Sequence, residues 1–463
     1  MDPFPLSQLA AFAGGVLSAT NEKASVDRVS TDSRTLQSGD FFVALRGENF
    51  DGHRFIAQAA ERKAVGAMVD RAWDGTVPKN FALLRVDDTL RGYQELASAY
   101  RKSLPLKVLA ITGSNGKTST KDFVAAALAR RFQVTKTEGN FNNHVGLPRT
   151  MLEADARHQI GVWELGMNHP GEIAALAQLA APDAAIITNV GVAHIEFMGT
   201  RDAIAVEKGA LAAAVPANGF VVLNADDPFS KQIAERTAAK IIYAGIKEGA
   251  VRAEDIRQSA GGSEFTVLEG AHRCRAQLPV PGLHMVQNAL LAIAAGRAFG
   301  LSLEECAGGL ASAPLTKARL QIKTIHGVEF LDDSYNANPE SMKAALRTLI
   351  ELDADGQRIA VLGQMNELGE ESDRGHREVG ETAAALEVDQ LITVGEVGAA
   401  IARAAQNAGL EKATAVASVG EAAQILAEKA SPGDLVLIKG SRSARMEGVL
   451  EEFGKRQPAG VSS

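Results

Sequence analysis

The chain has 463 residues, about three times the length of a typical domain, with 46% hydrophobic and 22% charged residues, proportions that suit a folded protein with a large core. Its 48 Lys and Arg stand against 56 Asp and Glu, a net charge of −8, which argues against a surface built to neutralise a nucleic-acid backbone. Aromatic residues make up only 5%, so the core must be aliphatic, and the stacking platforms of single-strand binders are largely missing.

The amino-terminal MDPFPLSQLAAFAGG carries no basic segment ahead of its apolar stretch, which argues against a secretory signal. A first block, 1–104, reads as a small α/β unit ending in the helix LRGYQELASAYRKSL, stopped by Pro105. A second block, 105–313, opens with the strand KVLAIT and the helix KDFVAAALARRF and closes in the Ala-rich stretch after Asn288. A third, 314–463, repeats strand and helix four or five times, with RIAVLG, QLITVG and DLVLIKG as strands, and its tail QPAGVSS is expected to fray. Short Val/Ile-rich runs alternating with amphipathic stretches are the pattern of parallel sheets with crossover helices. The fold class read here is therefore α/β in three domains with mostly parallel sheets, and ligand sites are expected at the carboxyl ends of the strands. The longest uncharged stretch, Ala276 to Gly296, is broken by Pro279, Pro281, Gly282, His284, Gln287 and Asn288, so no membrane span is expected. Cys274 and Cys306 are too few for a disulfide framework or a four-thiolate zinc site and are expected to be free thiols of a reducing cytoplasm.

The strongest local signal is Thr112-Gly113-Ser114-Asn115-Gly116-Lys117-Thr118, directly after KVLAI. Its glycines let the backbone curl so that N–H groups meet phosphate oxygens at a helix start. Lys117 would face the β- and γ-phosphates, and the Thr118 hydroxyl would ligate Mg²⁺. Position 111, a glycine in the full phosphate-loop spacing, is Ile, so this is a shorter variant; ATP or GTP is the expected ligand. Glu164 closes the run IGVWE, which aims its carboxylate at the same crevice, and with Thr118 it makes a hard-oxygen pair suited to Mg²⁺. His194 follows the run AAIITN; a histidine there is more often a structural hydrogen-bonder than an Mg²⁺ partner. Lys208, taken alone, reads as a solvated helix lysine. In the third block DDSYNANP follows the strand VEFL and precedes a helix with Pro339 and Glu340 in its first turn, a candidate ligand loop. Lys439-Gly440-Ser441-Arg442 closes DLVLI with two cations and a hydroxyl, a set suited to an anionic group.

Together TGSNGKT, the Asn142-Asn143 pair in EGNFNNHVGLP, WELGMN, TNVGVAHIE, DDSYNANPES and KGSRSARME resemble the Mur ligases of bacterial peptidoglycan synthesis, in that family's order over nearly the whole chain. The resemblance implies a uridine-nucleotide domain, an ATPase domain and a Rossmann-like carboxyl-terminal domain that binds the incoming dipeptide. It implies an ATP-dependent, ADP-forming ligase of the cytoplasm, acting as a monomer, that joins D-alanyl-D-alanine to a UDP-N-acetylmuramoyl-tripeptide through an acyl phosphate. Asp32-Ser33-Arg34 and ALRGENFDGHRF match the uridine-nucleotide region, implicating Ser33, Arg34 and His53. Residues 112–118 match the ATP phosphate loop, and Thr118, Glu164 and His194 match a site for two Mg²⁺ ions. Lys208 aligns with a lysine that several members carry as a carbamate. Asn288 matches an adenine contact, Arg319 a phosphate-bridging arginine, and Asp333 a ribose contact; Lys117, His194, Lys208 and Arg319 form the implied catalytic set. The SYNANP and KGSRS strings favour a dipeptide acceptor over a diamino acid, whose ligase typically shows DNPR and KGHE, absent here. Asn336 and Asn338 could donate to and accept from the dipeptide's amide, while Lys439, Ser441 and Arg442 could hold its carboxylate. Two departures stand out: Met285 replaces a usual Asn, and Gln364 a usual acidic residue.

Two other readings compete. A switch-type NTPase would share the phosphate loop but gives no reason for DSR, SYNANP and KGSRS together. A nucleotide-sugar-binding protein without catalysis would not require Lys117, Thr118 and Glu164 at converging strand ends. The ligase alone would release phosphate only when both peptide substrates are present.

Overall fold

The alternating runs resolve into three large sheets, with two short two-stranded pairs besides, in a computed structural model that describes residues 1–456. The expected frayed tail, QPAGVSS, lies outside the described residues. The first sheet has five strands in the spatial order Val16–Ser18, Ala82–Val86, Gly66–Asp70, Asp40–Val43, Arg28–Ser30, the last four parallel. Helix Thr89–Ser103 follows it. Asp88 caps this helix by accepting the Arg91 N–H at 2.8 Å, and Leu104 turns extended ahead of Pro105, because the residue before proline is pushed out of helical backbone. Its buried face, Tyr93, Leu96, Ala97 and Tyr100, joins the first domain to the central one; the Tyr100 hydroxyl donates to the Ala154 carbonyl at 2.8 Å.

The central sheet has nine strands. Val134–Lys136, Ile160–Glu164, Lys107–Thr112, Ala184–Ile187, Phe220–Asn224 and Lys240–Ala244 lie parallel and side by side in that order. Ile160–Glu164 and Ala184–Ile187 are buried along their whole length, as strands covered by helices on both faces must be. The uninterrupted strand–helix alternation expected here gives way to an antiparallel ribbon, Val251–Ser259, Gly262–Glu269 and His272–Leu278, at one edge. Its reason lies in VRAEDIRQS and HRCRAQL, where charges alternate with apolar residues and leave one face wet.

The third sheet has six strands in the order Gln321–Ile325, Val328–Asp333, Leu435–Lys439, Arg358–Gly363, Gln390–Val394, Ala413–Val416, all parallel except the first. Asp332 and Asp333, expected in the loop after VEFL, belong to the strand itself. One aliphatic core runs from Phe4 through Ile111 and Leu290 to Leu437, so the three sheets are packed as one body of side chains. The chain passing from the central to the third sheet is tied down at Thr316, whose N–H and hydroxyl both donate to Asp122 Oδ2 at 2.9 and 2.8 Å. Asp122 lies in helix Lys117–Leu128, and its other oxygen takes Lys136 Nζ at 2.7 Å. Cys306 is buried and Cys274 half-buried, both as free thiols. No helix among the described residues is long and apolar enough to cross a membrane.

Candidate active site

Strand Lys107–Thr112 lies between Ile160–Glu164 and Ala184–Ile187, with Ile111 level with Glu164 and Thr112 level with Ile187. Three parallel strand ends therefore open on one crevice, at the point where the strand order reverses. The loop out of Thr112 reaches helix Lys117–Leu128 through Gly113 (φ +153°) and Gly116 (φ +80°). A side chain at Gly113 would start 1.8 Å from Thr188 Oγ1, so only glycine lets the loop lie this close to the neighbouring strand end. That neighbour holds it firmly. The Ser114 N–H donates to the Asn189 carbonyl and the Asn115 N–H to Asn189 Oδ1, both at 2.9 Å. Thr188 Oγ1 donates back to the Asn115 carbonyl at 2.5 Å, and the Gly191 N–H donates to Ser114 Oγ at 2.8 Å. The first N–H groups of the helix have no acceptor within it, which leaves them for an anion.

Behind the loop, Thr118 Oγ1 donates to Glu164 Oε2 at 2.9 Å, and Asn142 Nδ2 donates to Glu164 Oε1 at 2.8 Å. Half-buried Lys117 bends back to donate to the Gly113 carbonyl at 2.7 Å; burial lowers the pKa of its amine, Glu164 opposing and Arg319 adding to the effect. Asn288 lies buried against the loop, since a side chain at Gly116 would meet its Oδ1 at 2.3 Å. Its Nδ2 approaches Met285 Sδ at 3.9 Å, and Met285 is itself buried.

Lys208 corrects the reading of a solvated helix lysine. It is 1% exposed, with Nζ 3.8 Å from Met167 Sδ, and burial holds its amine well below the usual lysine range, reinforced by the Lys117 charge and opposed by Glu207. Glu207 is otherwise committed, accepting the N–H groups of Gly171 and Ile173 at 2.8 and 2.7 Å.

The third domain meets the crevice directly. Asn338 Nδ2 donates to Asn115 Oδ1 at 2.7 Å, and Glu340 Oε1 accepts the Val192 N–H at 3.0 Å. His194 Nδ1 lies 2.6 Å from Glu367 Oε2, and this contact holds the Glu367 carboxyl below its ordinary range. Both partners have left-handed backbone, φ +62° at His194 and +61° at Glu367. His194 is thus paired across the domain boundary and not with Glu164. Among the described residues, no three His, Cys, Asp or Glu side chains converge as a metal cage. The Arg319 guanidinium stacks on the Tyr335 ring at 4.2 Å, and its Nε is buried without a hydrogen-bond partner.

Several expected ligand contacts are already engaged within the protein. Lys439 is 2% exposed and donates to Asp333 Oδ2 at 2.5 Å and to the Asn336 carbonyl at 2.9 Å. Burial lowers its amine against the pull of Asp333. Lys439 and Asp333, expected to meet a substrate carboxylate and a ribose, are thus engaged with each other. Buried Ser441 donates to the Gln364 carbonyl at 2.6 Å, and exposed Arg442 pairs with Glu447 at 3.0 Å. The Gln364 side chain donates to Asn366 Oδ1 at 3.0 Å. Asn338 Oδ1 caps its helix by accepting the Ser341 N–H at 2.9 Å, which leaves Asn336 as the exposed amide of the loop. In the first domain Ser33 is buried, and exposed Arg34 pairs with Asp32 at 2.8 Å, drawing that carboxyl down to about 2. His53 is buried with Nδ1 at 2.7 Å from Asp51 Oδ1 and Nε2 accepting the Asp70 N–H at 3.0 Å, so neither ring nitrogen is left for a ligand. The sequence reading assigned no role to Asn142, Thr188, Asn189, Glu340 or Glu367. EGNFNN and TNVG signalled the first three, while the two glutamates carry no local signal.

Three family models cover most of the chain: the Mur ligase family catalytic domain over residues 25–101, the Mur ligase middle domain over 111–296 and the Mur ligase glutamate ligase domain over 318–442. The UDP-N-acetylmuramoyl-tripeptide–D-alanyl-D-alanine ligase of Bacillus subtilis is 38% identical over 93% of this chain and 94% of its own length. The chain belongs to the Mur ligase family. This Mur ligase is also 37% identical to the Escherichia coli ligase of the same name, over 96% of this chain and 97% of that one. Its fold superposes on the crystal structure of MurF from Acinetobacter baumannii with a TM-score of 0.91, at 32% identity, covering 98% of this chain and 100% of that one. With MurF ligase from Thermotoga maritima in complex with ADP the TM-score is 0.84 at 29% identity, covering 93% and 97%.

Proposed function

We infer that this Mur ligase is an ATP-dependent, ADP-forming enzyme that joins D-alanyl-D-alanine to UDP-N-acetylmuramoyl-tripeptide in peptidoglycan precursor synthesis. The observation that carries the reading is the seating of the SYNANP loop of the third domain on the phosphate loop of the second, Asn338 against Asn115. In this reading residues 1–104 bind the uridine nucleotide, 105–313 bind ATP and 314–463 bring the dipeptide. Substrates that are a nucleotide-linked peptide and ATP fit a cytoplasmic enzyme, and we take it to act as a monomer.

The chemical difficulty is charge: a substrate carboxylate must approach a triphosphate that repels it. Lys117, Arg319 and the N–H groups opening helix Lys117–Leu128 supply positive potential there. Phosphoryl transfer to the carboxylate gives an acyl phosphate and ADP. The dipeptide amine then adds to the acyl carbon, and phosphate leaves as the amide forms. Domains pressed together at Asn115 and Asn338 keep water from the acyl phosphate, which it would hydrolyse.

The hard-oxygen pair Thr118 and Glu164, hydrogen-bonded to each other, fits Mg²⁺ beside a phosphate, whereas His194 is engaged with Glu367. When bound, the ion neutralises phosphate charge. Lys208 fits a carbamate for a physical reason: CO₂ adds only to a neutral amine, and burial lowers the pKa of this one, which favours that form.

The test is phosphate release by the purified chain with ATP, Mg²⁺ and UDP-N-acetylmuramoyl-tripeptide. Release should begin on adding D-alanyl-D-alanine, and none should follow from lysine or diaminopimelate supplied with the corresponding dipeptide precursor. Release without any acceptor would favour the plain NTPase.

A further inference from the structure

The loop from Asn189 to Glu196 is gripped from across the domain boundary at two points. Glu367 of the third domain meets His194, and its backbone carbonyl accepts the Glu196 N–H at 3.4 Å. Glu340, in the first turn of helix Pro339–Glu351, accepts the Val192 N–H on Oε1, while its Oε2 is buried with no hydrogen-bond partner. A carboxylate oxygen shut away from water without a donor is costly. The helix does not need it, because Asn338 and Ser341 already cap its start reciprocally. The helix dipole favours a carboxylate in this first turn, but its specific partner is the one Oε1 holds: Val192 lies between Asn189, which fixes Ser114 and Asn115, and His194. A Cβ at Gly191 would lie 3.2 Å from Glu340 Oε1 and 3.3 Å from Asn115 Nδ2, so the carboxylate, the loop and the phosphate turn form one close-packed cluster.

We propose that Glu340 is a positioning residue for the ligation step: through the Val192 N–H it sets the His194 loop, and through Asn189 the phosphate turn, once the third domain is seated. This rests on the ligase reading above. Lys117, Thr118 and Glu164 all belong to the central domain, and the phosphate turn is held directly by Asn189 and Thr188, so nucleotide affinity should change little without Glu340. Alignment of the phosphate turn with the acceptor loop does depend on it, and alignment governs kcat.

The test compares Glu340→Ala and Glu340→Gln with the wild-type chain in acceptor-dependent phosphate release, with ADP affinity from calorimetry and thermal melting alongside. Glu340→Ala should lose about tenfold in kcat with an ADP Kd within about twofold of wild type, as expected when only transition-state alignment is lost. Glu340→Gln keeps the acceptor oxygen and should recover to within about threefold. An unchanged kcat in Glu340→Ala overturns the proposal, as does a glutamine variant no better than alanine or a loss of kcat that tracks a lowered melting temperature. A wild-type chain with no acceptor-dependent release overturns the ligase reading and the proposal together, whereas an active wild type with an equally active alanine variant overturns the proposal alone.

Discussion

Lys117 sits where a triphosphate would take over its bond to the Gly113 carbonyl, in a loop that Asn189 and Thr188 also hold. Lys117→Ala should therefore leave the melting temperature near wild type and abolish ligation; a folded variant keeping more than about one part in ten of the activity removes Lys117 from the chemistry. Lys208 differs in being buried at the base of the site. Nuclear magnetic resonance of the chain in ¹³C-bicarbonate at slightly alkaline pH should show a carbamate carbon that disappears in Lys208→Arg, and a spectrum lacking it would leave the residue a bare amine. A third residue reports on pH. Burial, opposed by Asp333 and aided by the Lys439 charge, pushes the His284 imidazole down to about 4. The unfolded chain, with an imidazole near 6.5, takes up a proton between those values that the folded chain refuses. Stability is thus full above about pH 6.5 and falls as pH drops toward 4, by at most about 3 kcal/mol from this residue. Urea midpoints at pH 7 and 5 should differ less in His284→Gln than in wild type.

At the scale of elements, the phosphate turn depends on a backbone that only glycine supplies. Gly113→Ala would force the loop away from Thr188, and calorimetry should find ADP binding lost. Gly270 is a control: its φ is +58° but nothing lies within 4 Å of a Cβ there. Gly270→Ala should cost only about 1 kcal/mol of strain and leave ADP binding intact. Elements buried on both faces were legible because burial writes itself as a continuous apolar run, as in RIAVLG and DLVLIKG. The antiparallel ribbon of the central sheet was not, since VRAEDIRQS reads as polar chain until its partner strands supply the dry face. Asp332 and Asp333 looked like loop residues for the same reason: Lys323 and Lys439, which make them tolerable inside a strand, lie elsewhere in the sequence.

Across the whole molecule, the parts of the site that are local in sequence were readable and the parts assembled by domain contact were not. TGSNGKT announces itself because a strand, a turn and a helix start are contiguous. Glu340 and Val192 are 148 residues apart, and nothing in PES hints at the N–H it will accept. Asp122 is a similar case: it looks like an ordinary helix charge, yet it anchors Thr316, where the chain crosses into the third domain. The helix that opens on the phosphates therefore also carries the attachment of the domain that must meet them.

The contact between His194 and Glu367 is made by two non-glycine residues in left-handed backbone, a conformation that costs each about 1 kcal/mol or more. Attraction across the crevice has to overcome strain on both banks. Both left-handed residues belong to the seam itself, one on each side of the domain boundary. An enzyme that admits ATP and two peptide substrates in each turnover has to open at such a boundary, and backbone held there at a cost keeps the closed arrangement from being over-stable.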